Sequence, residues 1–166
     1  MRAVRDEEFA AFVVAATPRL RRTAYLMCRD WHLAQDLTQT TLTKVYVAWR
    51  RAAQADNTFA YAQKILFRAY LDHRRRRSST EAVDGQLPEV ARGGTLDLRL
   101  TMLDALSRLP RRDRAIVILR YFEDYSVEQT AEILNLTISV VKTQTRRALA
   151  RLRELLAPDQ LALFAA

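Results

Sequence analysis

Lys142, Thr143, Gln144, Arg146 and Arg147 fall within two turns of one predicted helix near the end of the chain. Their chemistry is hydrogen bonding to nucleic acid. Arg and Lys donate to guanine acceptors or to phosphates, and Gln pairs with adenine. Arg151 and Arg153, further along, suit phosphates or solvent. The element that positions this set is legible. Ser126-Val127-Glu128-Gln129 is a capping box, in which Ser caps and the Gln three residues on reaches back. It starts a short helix to about Leu134, Asn135-Leu136-Thr137 breaks the pattern, and a longer helix runs from Ile138 to about Leu156, before Pro158. Short helix, tight turn and longer basic helix is the layout of a helix-turn-helix, whose second helix lies in the major groove. Val127, Ala131 and Leu134 are expected to brace it by packing on Val141, Ala148 and Leu152. A basic amphipathic helix can also be a plain solvated face; here cap, turn and basic helix agree on DNA.

A second set lies on a helix predicted from Thr58, as its cap, to Arg77. It carries Tyr61, Lys64, Phe67, Arg68, Tyr70 and His73 and ends in Arg74-Arg75-Arg76-Arg77. Aromatic rings beside cations suit an opened strand, the rings stacking on unpaired bases and the cations holding phosphates. Tyr and Phe at helical spacing also fill cores, and the pattern leaves both readings open. A third set, Gln35-Asp36-Leu37-Thr38-Gln39 with Thr40 and Thr41, is a polar run on an otherwise apolar helix, with Asp36 and Gln39 sharing a face. The pattern alone does not demand a docking surface there.

The rest of the chain supplies helices. It has 166 residues, 49% of them hydrophobic, with only three Gly and four Pro, a composition poor in the punctuation that strands and hairpins need. The expected fold is all-α, two small helical domains joined by a flexible linker. The domains are 6–77 and 96–157, the linker 78–95 and the tail 158–166. Linker composition is plain in Ser78, Ser79, Gly85, Pro88, Gly93 and Gly94. In the first domain Phe9, Phe12, Val13 and Ala16 share a helical face. Thr17-Pro18 reads as the start of a new helix, with Pro at the first position. Asp30 is the expected cap of a helix from Trp31 to about Ala53. In the second domain Leu96, Leu100, Leu103 and Leu106 form one amphipathic helix and Pro110 opens the next.

The net charge of +8 favours an anionic partner. The single cysteine, Cys28, can form no internal disulfide and reads as a small buried hydrophobe. No apolar run approaches the roughly 20 residues that span a bilayer, and the start turns acidic at Asp6-Glu7-Glu8 where a signal peptide is apolar, so a cytoplasmic protein without membrane contact is expected. No paired carboxylates, Gly-rich phosphate loop or Cys/His set suggests catalysis, a metal or a cofactor, and His32 and His73 read as surface groups.

In this order, the three sets resemble the extracytoplasmic-function sigma factors of bacteria, members of the sigma-70 family built from a sigma-2 domain, a linker and a sigma-4 helix-turn-helix domain. The resemblance covers about Asp6 to Ala157. Phe9-Ala10-Ala11-Phe12-Val13, Leu20 to Leu26 and Trp49 are most similar to the actinobacterial, sigma-E-like branch. It implies that Gln35, Asp36, Leu37 and Gln39 dock on the β′ coiled-coil of RNA polymerase core, with the β flap as a second core contact. It implies that Asn57, Phe59, Tyr61, Lys64, Arg68, His73, Arg74 and Arg75 recognise a melted −10 element, Asn57-Thr58-Phe59-Ala60 falling where the family traps a flipped base. It further implies that Ser139, Lys142, Thr143, Gln144, Arg146 and Arg147 read the duplex −35 element. Arg68 stands where many members have Asn, and Val140 to Arg147 departs from the common Thr-Val-Lys-Ser-Arg run, so promoter sequence does not carry over. An anti-sigma factor as a restraining partner is left open. The terminal Ala165-Ala166 resembles the end of the ssrA degradation tag read by the ClpXP protease, against which stands a plain frayed tail. The rival readings are a free-standing DNA-binding regulator, which would not need core polymerase, and a basic RNA- or membrane-surface protein, which the capped helix-turn-helix does not suit.

Overall fold

The structure, a computed structural model, describes residues 1–77 and 95–164, with side chains described for 1–73 and 101–164. The chain divides into two compact units, Met1–Glu81 and Ala82–Ala166, and among the described residues it contains helices and turns but no strand.

The first unit holds α1 (Arg2–Cys28), α2 (Trp31–Val47), α3 (Trp49–Ala52) and α4 (Thr58–Arg77). Helix α1 is continuous through Thr17-Pro18, where the sequence suggested a new start. The Thr17 hydroxyl bonds back to the Val13 carbonyl at 2.6 Å, so it is not free to cap. Pro18 cannot donate to the carbonyl of Val14, but Val14 is 77% exposed and water can take that role. Helix α1 ends at Arg29, which is left-handed at φ 55°, and Asp30 then caps α2 as expected, accepting from the amides of His32 at 2.9 Å and Leu33 at 3.2 Å. The expected helix to Ala53 breaks at Ala48, and the short α3 turns the Trp49 indole onto Phe9 and Phe12, at ring distances of 5.3 and 5.5 Å. Helices α1, α2 and α4 pack on one another. Leu20, Met27, Leu66, Phe67 and Tyr70 are fully buried there, each large apolar side chain contributing about 1.5–3 kcal/mol by leaving water. Cys28 is half-buried and its thiol donates to the Asp30 carbonyl at 3.3 Å, which places it at the α1–α2 corner rather than in the core.

The second unit holds α5 (Thr95–Ser107), α6 (Arg111–Val117) running into a π-helical turn (Ile118–Phe122), α7 (Val127–Leu134), α8 (Ile138–Leu155) and a 3-10 turn (Gln160–Phe164). Two buried clusters stand out among its described residues. Ile116, Ala131 and Val141 pack with Val127, Leu134 and Leu136 between α6, α7 and α8. The sequence places Ala148 and Leu152 against α7, but they pack instead with Ala105, Leu106, Leu109 and Val117. The reason is length: α7 ends at Leu134, so only the first turns of α8 meet it and the later turns cover α5 and α6. Arg114, buried, fastens the α5–α6 corner by donating through Nη2 to the carbonyls of Ser107 at 3.0 Å and Leu109 at 3.1 Å. The tail folds back on this unit, with Phe164 edge-on to Tyr121 at 5.3 Å.

Candidate nucleic-acid interface

The helix-turn-helix is built by local bonds. Ser126 Oγ accepts from the Gln129 amide at 3.0 Å and Gln129 Oε1 accepts from the Ser126 amide at 2.9 Å, which completes the capping box. Asn135, left-handed at φ 55°, ends α7, a conformation that Asn tolerates better than most residues. Thr137 then caps α8, its Oγ1 accepting from the Val140 amide at 3.2 Å, a role the sequence reading had not given it. Val141, Ala148 and Leu152 face inward at zero exposure, which turns Ser139, Lys142, Thr143 and Arg146 outward. These open side chains lie on the early turns of α8, where a recognition helix meets bases.

Two members of the expected reading set differ from the rest. Gln144 is half-buried and its Oε1 is buried with no hydrogen-bond partner among the described residues. A bidentate pair with adenine needs that oxygen at the surface, so this rotamer does not offer one. Arg147 is held by Asp113 of α6, through Nε to Oδ2 at 3.0 Å and Nη2 to Oδ1 at 2.7 Å. The bond and charge of Asp113 raise the guanidinium above its ordinary range, so it stays charged at any neutral or alkaline pH of interest. That contribution fades as pH rises through the raised range. Asp113 was not foreseen; the only local signal is an acid in the first turn after Pro110.

On α4, Asn57, not Thr58, supplies the helix cap, its Oδ1 accepting from the Ala60 amide at 3.0 Å. Asn57, Tyr61, Lys64 and Arg68 follow at three- and four-residue steps and form one stripe, with Asn57 and Arg68 exposed and Tyr61 and Lys64 half-buried. Phe67 and Tyr70 are fully buried and unavailable to bases, Tyr70 donating its hydroxyl to the Met27 carbonyl at 3.1 Å. Phe59 is half-buried and one ring face is covered by the Arg19 guanidinium at 4.2 Å. His73 is half-buried, and Arg74 and Arg75 belong to the last turn of α4, with side chains outside the described residues.

On α2, Gln35, Asp36, Gln39 and Thr40 face outward, while Thr38 and Thr41 are buried because their hydroxyls bond to the carbonyls of Ala34 at 2.7 Å and Leu37 at 2.8 Å. Leu37 does not belong to the outward face: at 4% exposure it is core, and a contact role for it is corrected on that ground. Val47, 77% exposed, is a large apolar side chain on this helix that the sequence reading missed. Ala165 and Ala166 lie outside the described residues.

Comparison with known proteins agrees with this arrangement. Sigma-70 region 2 matches residues 12–80, and Sigma-70, region 4 matches residues 99–152. The RNA polymerase sigma-E factor of Streptomyces avermitilis is 33% identical over 150 residues, which span 89% of this chain and 84% of that protein. The chain belongs to the sigma-70 family. Its relatives are sigma factors of the extracytoplasmic-function type, which makes it a sigma factor for transcription initiation. Sigma factor SigV of Bacillus subtilis is 29% identical over 142 residues, 84% of this chain and 86% of that one. Among solved structures, the sigma factor RpoE from Bartonella quintana, in complex with the anti-sigma factor NepR, aligns with a TM-score of 0.73 at 30% identity, covering 92% of this chain and 99% of its own. The all-α fold expected from composition, and the two sigma units implied by the resemblance, are found in the structure and in its match to the Bartonella quintana sigma factor. No helix among the described residues is long and apolar enough to cross a membrane.

Proposed function

We propose that the chain acts as a non-catalytic subunit that brings RNA polymerase core to promoters by three separate surfaces. Gln35, Asp36 and Gln39 on α2 dock on the β′ coiled-coil. The stripe Asn57, Tyr61, Lys64 and Arg68, extended by His73, Arg74 and Arg75, holds the melted −10 strand, with Phe59 shaping the loop end. Ser139, Lys142, Thr143 and Arg146 read the −35 duplex, with Gln144 and Arg147 at the border of that face, while the second unit meets the β flap. The observation that carries this reading is the capped α7, the left-handed turn at Asn135 and the open basic face of α8, a full helix-turn-helix on the same chain as a sigma-2 helix set.

Melting a promoter costs base stacking; base capture and phosphate contacts offset it. Two moderate contacts on one chain gain from effective concentration. The likeness to a relative seen with NepR makes an anti-sigma factor a further partner. A degron at Ala165 and Ala166, read by ClpXP, is the remaining part of the reading; changing both to Asp should lengthen the half-life in cells, and unchanged turnover removes it. The test of the main proposal is transcription by purified core with this protein over a fragment library of the host genome. Specific start sites that need the protein are expected; their absence would overturn the proposal.

A further inference from the structure

Asp113 is a carboxylate at 1% exposure on α6, in a chain with net charge +8 and directly behind the helix that faces DNA. A buried carboxylate is costly unless paired and hydrogen-bonded. Its pairing is complete: both oxygens are taken by one guanidinium edge, Nε at 3.0 Å and Nη2 at 2.7 Å, in the fork geometry that only Arg offers. The Arg147 side chain is nonetheless 63% exposed, so it remains open to a further partner. On α8, Arg147 sits next to buried Ala148 and one turn after half-buried Gln144, at the α6 border of the face that Lys142, Thr143 and Arg146 open. A helix lying in the major groove presents its centre to bases and its borders to the two backbones.

We propose that Asp113 is a specificity-determining positioning residue for the reading helix, and that the Arg147 it holds is a fixed phosphate contact and not a base reader. The inference rests on the duplex-reading role proposed above and deepens it. Two consequences follow from the geometry. The pair ties α8 to α6 at the border of the reading face, so the angle at which Lys142, Thr143 and Arg146 enter the groove is set by a bond to a residue that never touches DNA. The carboxylate also withholds the long, flexible arginine from neighbouring bases. Freed, the guanidinium would find guanine acceptors or phosphates at many registers, which adds affinity for all sequences and discrimination for none.

The experiment uses the full chain assembled with polymerase core on a pool of duplexes randomised over the upstream element, with bound sequences counted at several salt concentrations. The variants are Asp113→Asn, near in size, Arg147→Gln and the double change. Asp113→Asn, which frees Arg147, is expected to raise average affinity slightly for all sequences, with salt dependence at or above wild type, while preference between best and worst base at the read positions falls by roughly three- to ten-fold, at the low end of the loss of one full bidentate base contact. Arg147→Gln cuts the same tie, so it is expected to lose preference to about the degree of Asp113→Asn and, beyond that, to weaken binding to all sequences and lower the salt slope by about one. The double change should lose no more preference than Asp113→Asn alone, because the two side chains act as one unit. If Asp113→Asn does not fold by circular dichroism, Asp113→Glu, which keeps the charge at a different reach, should show a smaller loss of preference. Wild-type preferences in whichever of these two folds would overturn the proposal, as would an Arg147→Gln effect confined to one base position with an unchanged salt slope. A wild-type protein that enriches no sequence at all would instead overturn the duplex-reading role itself.

Discussion

Ala131 is a small buried residue of α7 that packs with Val141 of the reading helix, and enlarging it tests how the second unit is built. The side chain is 5% exposed and packs with Ile116 and Val141, with Val127, Leu134 and Leu136 around it. Ala131→Leu adds an isobutyl group where the fold has a methyl between two helices. Both neighbours are on other elements, so the added volume must push α8 from α7 or force side chains off their rotamers. Overpacking of this kind costs about 1–3 kcal/mol. In a domain of roughly 60–100 residues each kcal/mol lowers Tm by about 4–8 °C. The assay is thermal unfolding of the full chain by circular dichroism, read beside core-polymerase pull-down and duplex binding. The second unit should melt earlier and duplex binding should weaken, while core retention, which the proposed function assigns to α2 in the first unit, stays. An unchanged melt with unchanged duplex binding would refute the close approach of α7 and α8.

Removing the capping box by Ser126→Ala with Gln129→Ala should destabilise the second unit by about 1–2 kcal/mol, read as a lower denaturant midpoint; no shift would mean that α7 is held by packing alone. Tyr70→Phe removes the hydroxyl that ties α4 to the Met27 carbonyl of α1, and a loss of about 1 kcal/mol is expected in the same measurement. Arg68→Ala should reduce the salt slope for a single-stranded oligonucleotide by about 0.7, the value for one phosphate on a single strand. An unchanged slope would take Arg68 out of the strand contact.

Much of this was legible because short-range bonds decide it. Asp30 and Ser126 cap the helices that follow them since a side-chain oxygen two or three residues upstream of free amides has few better partners. The spacing of Val141, Ala148 and Leu152 turns Lys142, Thr143 and Arg146 outward on α8, while Gln144 of the same expected set is half-buried. What escaped depends on residues far apart in the chain. Thr17-Pro18 has the local signature of a helix start, yet packing of α1 along α2 and α4 carries the helix through it. Phe67 and Tyr70 have the composition of a base-stacking face, but the first unit needed them as core. Leu37, in the middle of a polar run, serves the core for the same reason. The Asp113–Arg147 pair joins residues 34 positions apart, and no pattern in either segment announces the other.

The central claim, that this sigma factor meets polymerase through the outward face of α2, is tested most directly by retention of purified RNA polymerase core on the tagged full-length protein, beside Asp36→Arg. Asp36 is exposed, so the change should leave the fold intact. The account predicts core retained by wild type and lost by Asp36→Arg, with both proteins giving the same circular dichroism spectrum. Equal retention by the two would contradict the α2 docking face, and a folded wild type that retains no core would favour a free-standing DNA-binding regulator.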